Sequence, residues 1–471
     1  MLSIETGVLR NMVTTLWAQQ ALMPTGWCRD VRVEIDASGR IVAVETDAAR
    51  PADGPSATML DCVLPAPANL HSHAFQRAMA GLTEARGPDP ADSFWTWRQQ
   101  MYRFLDQLSP DQVQAITAFV QMEMLEAGYA SVGEFHYLHH QPDGSPYDNV
   151  AEMAERVTAA AAETGIGLSL LPVLYHQGGC DGRALGAGQR RFGNGLDRFA
   201  MLHDGAAKAL SYLSDDAVLG VAPHSLRAVG PTELRELMAC HTSGPFHIHA
   251  AEQVAEVREV SDALSARPVQ WLLDNAGVDE RWCVIHATHL DDAEVAGLAG
   301  TKAVVGLCPI TESSLGDGIF RGVDFRALGG RFGVGSDSNI RIGLFEELRT
   351  LEYSQRLRDR GRALMATAER STGRFLLDAV TAGGAQACGR DSGAIAVGQW
   401  ADLVALDTGS TDLVGRIGDG VIDSAVFARG ESAVAEVWSA GRHVVSGGVH
   451  REHARITARY RGVMKALMAR Q

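Results

Sequence analysis

Cysteine is scarce and unpatterned. The chain has seven in 471 residues, an odd number, and no two of them form a Cys-x-x-Cys pair. That argues against a disulfide scaffold and points to reduced thiols in a cytoplasmic protein. Positive charge is also short: 42 Lys and Arg face 57 Asp and Glu, for a net charge of −15. Nucleic-acid and anionic-membrane surfaces call for basic patches, so neither partner is expected. No uncharged apolar run approaches the ~18 residues of a membrane helix. A secretory leader is missing too, because Glu5 interrupts the charged-then-apolar layout. Met12 offers a second start, and residues 1–11 read as a loose extension. What remains is ordinary globular composition, 46% apolar and 21% charged, on a chain long enough for one large domain and a smaller one.

The two ends of the chain share a texture that the middle lacks. Val31–Ile35 and Ile41–Val44 alternate around an Asp-, Ser- and Gly-bearing turn at Asp36–Arg40, a hairpin pattern. Short strands return at Asp402–Asp407, Ala425–Phe427, Ala435–Trp438 and His443–Val445. A small β-sandwich domain assembled from residues 1–62 and 386–450 accounts for both ends. Between them, residues 63–385 alternate short apolar strands with helical stretches. The strand candidates are Val63–Leu70, Ala130–Phe135, Gly167–Leu174, Val218–Pro223, Pro245–Ala250, Trp282–Ala287, Lys302–Leu307 and Arg331–Ser336. Helices are expected from Ser109-Pro110 to a stop at Gly128 and over Glu346–Gln355. A C-terminal helix is expected within 451–471. This rhythm predicts an α/β fold, a closed (β/α)₈ TIM-like barrel with its site at the C-terminal strand ends. An open doubly wound sheet would want a Gly-rich turn after its first strand, and none is present.

Chemistry gathers at those strand ends. The first closes on His71-Ser72-His73, whose alternate residues point to one side of an extended strand. Two neutral imidazoles there make half of a zinc site. The fifth closes on His249-Ala250-Ala251-Glu252, where one residue can bind metal and the other can carry a proton above it. The sixth offers His286, and the eighth ends on Asp337, a carboxylate costly to bury unless it is paired or metal-bound. Any one of these has a bland packing explanation. A barrel brings all four ends together, and that convergence carries the reading.

These residues resemble the amidohydrolase superfamily, in particular its mononuclear deaminase branch. Gly393–Val404 is similar to that superfamily's return into its small β-domain. Narrower strings are similar to the deiminases that act on N-formimino-L-glutamate in histidine degradation. They are His71–Ala78, Gly133–His140, His249–Gln253, Leu307-Cys308-Pro309 with Thr311-Glu312, and Leu315–Gly318. The resemblance implies one Zn²⁺ per subunit (iron or manganese would also suit such donors) held by His71, His73, His249 and Asp337. It implies Glu252, His286 and Asp337 as the catalytic groups and a homodimeric assembly. The implied substrate is a small dianion. Arg227 and His224 would meet one carboxylate, and Arg98, Gln76 and Tyr137 the other, since the arginine fork suits a carboxylate. Arg98 follows an aromatic stretch of Phe94, Trp95 and Trp97. Arg190 and Arg191 read as surface loop. His139, His140, His176 and His289 read as packing or hydrogen-bonding residues. Two rivals stand beside this: a deaminase or chlorohydrolase of an aromatic heterocycle, which would want a stacking pocket in place of two arginines, and a non-catalytic assembly protein, which would have lost metal ligands.

Overall fold

A computed structural model of the chain describes residues 13–51, 57–84 and 94–469. The extension expected at residues 1–11 lies outside the described residues, as do the side chains of Phe94 and Trp95.

The strands from the two ends of the chain meet in a single eight-stranded sheet. Its spatial order is Val449–His450, Arg442–Ser446, Val434–Ser439, Leu403–Leu406, Thr58–Pro65, Thr14–Met23, Gly26–Ile35 and Ile41–Glu45. The alternation read at Val31–Ile35 has its physical basis here: Val31, Val33 and Ile35 are buried with Leu16, Ala18, Leu403 and Trp438 in one apolar cluster. The sheet curls so that its outer hairpins touch, with Gly441 packed against Gly39. The sandwich expected from both termini is thus one continuous sheet curled over its own core.

The middle of the chain forms the barrel. Its strands are Ala68–Ser72, Ser131–His136, Gly167–Leu174, the interrupted pair Val218–Leu219 and Ala222–Pro223, Phe246–Ala250, Trp282–His286, Val304–Leu307 and Arg331–Val334. All pair in parallel. Two seams close the ring: bridges Val221↔Phe246 and Ser225↔His249 on one side, and Ser72↔Asp337 on the other. The barrel interior is filled, not hollow. Leu70 sits at its centre because glycines face it. A Cβ at Gly133 would lie 2.5 Å from Leu70 O, and one at Gly333 would lie 2.4 Å from Leu70 Cδ2. Outside the ring, Ser109 caps helix Pro110–Glu126 through a reciprocal bond pair with Gln112. Helix His453–Met468 packs on it by stacking Tyr460 on Phe119 at 3.9 Å.

Three local expectations need correction. Val63–Leu70 is not one strand. Pro65 and Pro67 cannot donate to a ladder, and they break the run into Thr58–Pro65, which joins the curled sheet, and Ala68–Ser72, which joins the barrel. Ala425–Phe427 is not a strand; it extends helix Asp419–Ser424 as a wide turn to Arg429, burying Ala425 and Val426. Packing against the helices overrides a β-prone tripeptide here. Arg191 is not on the surface. It is 1% exposed and donates to the carbonyls of His140, Leu105 and Leu108, whereas Arg190 is exposed as expected.

A buried ion cluster ties the curled sheet to the barrel. Arg390 donates to Asp402 at 2.6 Å and to Asp216 at 2.8 Å, and Arg442 reaches Asp216 from the sheet at 2.6 Å. Arg390 has no exposed side-chain area. Removing it strands buried carboxylate charge, and breaking such a pair costs about 3–5 kcal/mol. Arg390→Met should therefore lower the urea midpoint of unfolding by a corresponding amount, whereas Arg190→Met should leave it unchanged.

Candidate active site

The first barrel strand delivers His71 to the barrel mouth, and His73 follows at the start of the short helix Ala74–Met79. The fifth strand delivers His249 and the turn after the eighth delivers Asp337. Their donor atoms all lie within 4.8 Å of one another. His71 Nε2 is 3.2 Å from His249 Nε2 and 3.5 Å from Asp337 Oδ1, and His73 Nε2 is 3.4 Å from the same oxygen.

The outer nitrogens of two rings set which edge points inward, while Nδ1 of His71 has no partner among the described residues. Nδ1 of His73 donates to Phe135 O at 3.0 Å, and Nδ1 of His249 donates to His224 O at 3.1 Å. With those protons placed outside, the Nε2 lone pairs converge. Burial favours neutral rings: it pushes His71 down to about 3 and lowers His73 and His249 as well. Two lone pairs facing each other at 3.2 Å repel unless a cation stands between them. Burial alone would raise the Asp337 carboxyl. The imidazoles facing it, His71 and His73 at 3.5 and 3.4 Å and His286 at 3.9 Å, outweigh burial and hold the carboxyl below its ordinary range. Three neutral imidazoles and one buried carboxylate fit a divalent metal. A second possible donor group, His286, Cys308 and Asp337, overlaps this one. It is the poorer site, because burial holds the Cys308 thiol well above its usual range and the thiol is the weak ligand form.

Further titratable groups flank the candidate metal donors. His286 Nε2 lies 3.7 Å from Glu252 Oε1 and 3.9 Å from Asp337 Oδ2. Burial opposes charge on this ring, but Glu252, Glu312 and Asp337 together overcome it and raise His286 to about 10. Burial raises the Glu252 carboxyl above its ordinary range, against the pull of His286 and Arg227. Glu252 sits on a bend whose left-handed residue is Ala251, φ 56°. Glu256 holds that bend by accepting the N–H groups of Ala251 and Glu252 at 3.2 and 3.0 Å. The spacing within His249–Glu252 gave no hint of Glu256.

These groups open onto a cleft of about 500 Å³. It is lined by His73, His249, Glu252, His286 and Asp337 below and by Gln76, Arg98, Tyr137, His224 and Arg227 around the wall. The fold therefore brings the candidate site residues together around one cleft, with His71 outside its lining. Gln76 donates to Tyr137 Oη at 2.7 Å, and Arg98 donates to Tyr175 Oη at 2.7 Å. Arg227 is 6% exposed, and its Nε has no hydrogen-bond partner among the described residues. A buried guanidinium left this way is costly unless an anion meets it. Sequence reasoning missed Met101, Tyr175, Phe192 and Leu315 in the lining; apolar and aromatic residues carry no local mark of a cleft. His139 and His140 are buried hydrogen-bonding residues, as expected, donating to Val173 O and Asn194 Oδ1.

The model of the amidohydrolase family matches residues 62–444. A model described as the N-terminal domain of formimidoylglutamate deiminase HutF matches residues 13–57. The chain is 48% identical to a formimidoylglutamate deiminase of Pseudomonas aeruginosa over 93% of its own length and 96% of that protein. It is 27% identical to a 5-methylthioadenosine/S-adenosylhomocysteine deaminase of Natronomonas pharaonis, over 75% of this chain and 76% of that one. Among solved structures, an amidohydrolase from Brucella melitensis superposes with a TM-score of 0.92 at 48% identity, covering 97% of this chain and 100% of that one. An adenosine deaminase from Xanthomonas campestris shares the fold at 20% identity, with a TM-score of 0.79 over 97% of this chain and 98% of that one.

Replacing one imidazole should break the metal site without emptying the core. His249→Asn is expected to reduce bound divalent metal, by elemental analysis, from about one per chain to a small fraction. A chelator should lower the melting temperature of the parent protein and leave that of the variant unmoved.

Proposed function

The chain belongs to the amidohydrolase family, and on that premise we propose that it hydrolyses N-formimino-L-glutamate to N-formyl-L-glutamate and ammonia in histidine degradation. The observation that carries the reading is the joint placement of Arg98 and Arg227 around a cleft whose floor holds Glu252, His286 and Asp337. A dicarboxylate with a reactive C=N group asks for that combination. A heterocyclic substrate has no use for two arginines, although the aromatic lining would suit it.

His71, His73, His249 and Asp337 are the ligands in this reading, and zinc is the metal, since three imidazoles and a carboxylate match its preference. When bound, the metal supplies Lewis acidity that brings the pKa of a water toward neutrality. The chain's own residues do the rest. Arg227 and His224 bind one substrate carboxylate; Arg98, with Gln76 and Tyr137, binds the other. This orients the formimino carbon toward the floor. Asp337 accepts a proton as water adds to that carbon, with His286 holding the neighbouring proton in place. The new C–O bond forms while the C=N π pair moves to nitrogen. Glu252, whose carboxyl burial raises above its ordinary range, donates to that nitrogen. The same nitrogen then takes the proton held by Asp337, the C–N pair leaves with it as ammonia, and the carbonyl closes as the hydroxyl proton passes to Glu252, which restores both carboxyl groups. Burial of Glu252, His286, Asp337 and Arg227 limits competing water and strengthens their contacts, while Arg98 and His224 stay half-buried at the wall.

The reading extends to a cytoplasmic homodimer. All seven cysteines are free, which suits a reducing compartment, and no described helix is long and apolar enough to cross a membrane. Sedimentation of the purified protein decides the dimer.

Ammonia release should be observed with N-formimino-L-glutamate and not with guanine or cytosine. Arg98→Met and Arg227→Met should each raise KM roughly 10–100-fold, the worth of a charge-assisted contact. Unchanged KM in both would remove the dicarboxylate reading. Glu252→Gln should lower kcat by about 10²–10⁴ with metal retained; a kcat near that of the parent would take the general acid away from this residue.

A further inference from the structure

Three carboxylates surround His286, and the mechanism above uses only Glu252 and Asp337. The third, Glu312, is 5% exposed and is absent from the cleft lining. Helix Pro309–Leu315 carries it to the far edge of the imidazole, where its Oε1 lies 3.3 Å from His286 Nδ1. The same oxygen accepts the Cys308 N–H at 2.9 Å, which fixes the carboxylate's own direction. On the opposite edge, Nε2 faces Glu252 and Asp337.

His286 and Ala287 adopt left-handed φ values of 68° and 48°, so the regular strand geometry that directs His71 has ended here. An imidazole is nearly symmetric in shape. Rotation by half a turn about Cβ–Cγ exchanges Nδ1 with Cδ2 and Nε2 with Cε1, and would leave a carbon facing the reacting groups. Glu252 and Asp337 favour the observed state from 3.7 and 3.9 Å, and Glu312, at 3.3 Å, is the nearest polar partner that distinguishes the two.

We propose that Glu312 is a positioning residue for the reaction: by accepting the Nδ1 proton of His286, it holds the ring in the state that presents Nε2 to Glu252, Asp337 and the substrate. The proposal deepens the deiminase reading and rests on it. Glu312 touches neither substrate nor metal donors, so its loss acts on turnover and not on substrate affinity. A role confined to capping Cys308 would instead appear in stability alone.

The experiment compares Glu312→Leu and Glu312→Gln with the parent protein on N-formimino-L-glutamate, measuring kcat, KM, bound metal and melting temperature. Glu312→Leu should lower kcat about 10–100-fold with KM within about twofold and metal content unchanged. Glu312→Gln, whose amide oxygen still accepts from Nδ1, should recover most of that loss. Full kcat in Glu312→Leu, a loss confined to melting temperature or metal content, or a glutamine no better than leucine would overturn the proposal. A second measurement needs no Glu312 variant: ¹⁵N-histidine spectra of the intact protein, with His286 assigned by its loss in His286→Asn. A proton resident on Nδ1 is the expected result, and a bare Nδ1 overturns the proposal even if the leucine variant does not fold. If the parent protein releases no ammonia from this substrate, the deiminase reading fails, while the spectra still decide the His286–Glu312 bond.

Discussion

The seam between the first and last barrel strands is the constraint on which the site depends. Asp337 N–H donates to His71 O at 3.0 Å, and His73 N–H donates to Asp337 O at 2.9 Å. The bonds that close the ring therefore join three of the four candidate metal donors through their own backbones. Gly335 lets the strands approach, since a Cβ there would lie 2.6 Å from His71 O. Asp337 and Asn339 are held at φ 46° and 54°, conformations that persist only where surrounding bonds over-determine them. A buried chain supplies those bonds: Asn69 to Ser336, Ser336 to Asn339, and Asn339 to Ser72. The fourth donor hangs on the other seam, where the His224 carbonyl accepts both the backbone N–H and Nδ1 of His249.

Closure places the donors, and burial decides their charge. The imidazoles around the seam are kept neutral by desolvation, whereas His286, among three carboxylates, stays protonated. Burial also drives Asp317 up to about 9, and its carboxylate is bonded by Gln253 next to Glu252. In the proposed reaction, acidic groups with raised affinity for protons, one aspartate held below its ordinary range and two wall arginines would divide the work of proton donor, proton acceptor and anion clamp within one cleft. That division is the usual consequence of environments that push like groups apart.

Parts of this arrangement were legible in the linear chain. The strand-end histidines, Glu252 and Asp337 could be found because strand geometry fixes side-chain direction over two or three residues. The eight-strand rhythm was legible for the same reason, although the Pro65–Pro67 break and the two pieces of the fourth strand were not. Buried Arg191 was missed because its partners are backbone carbonyls from distant segments, which leave no mark on composition. Glu256 was missed, and Glu312 was read only as part of a familiar string with no role, because holding another residue in place has no spacing signature.

The sequence by itself determined which chemical groups stand at the ends of which strands, since local backbone geometry suffices for that. The tertiary structure alone decided that those ends meet at one rim, which histidine edge faces inward, and which carboxyls keep their protons. These outcomes depend on closure of the ring and on distance from water, and both are set by residues far apart along the chain.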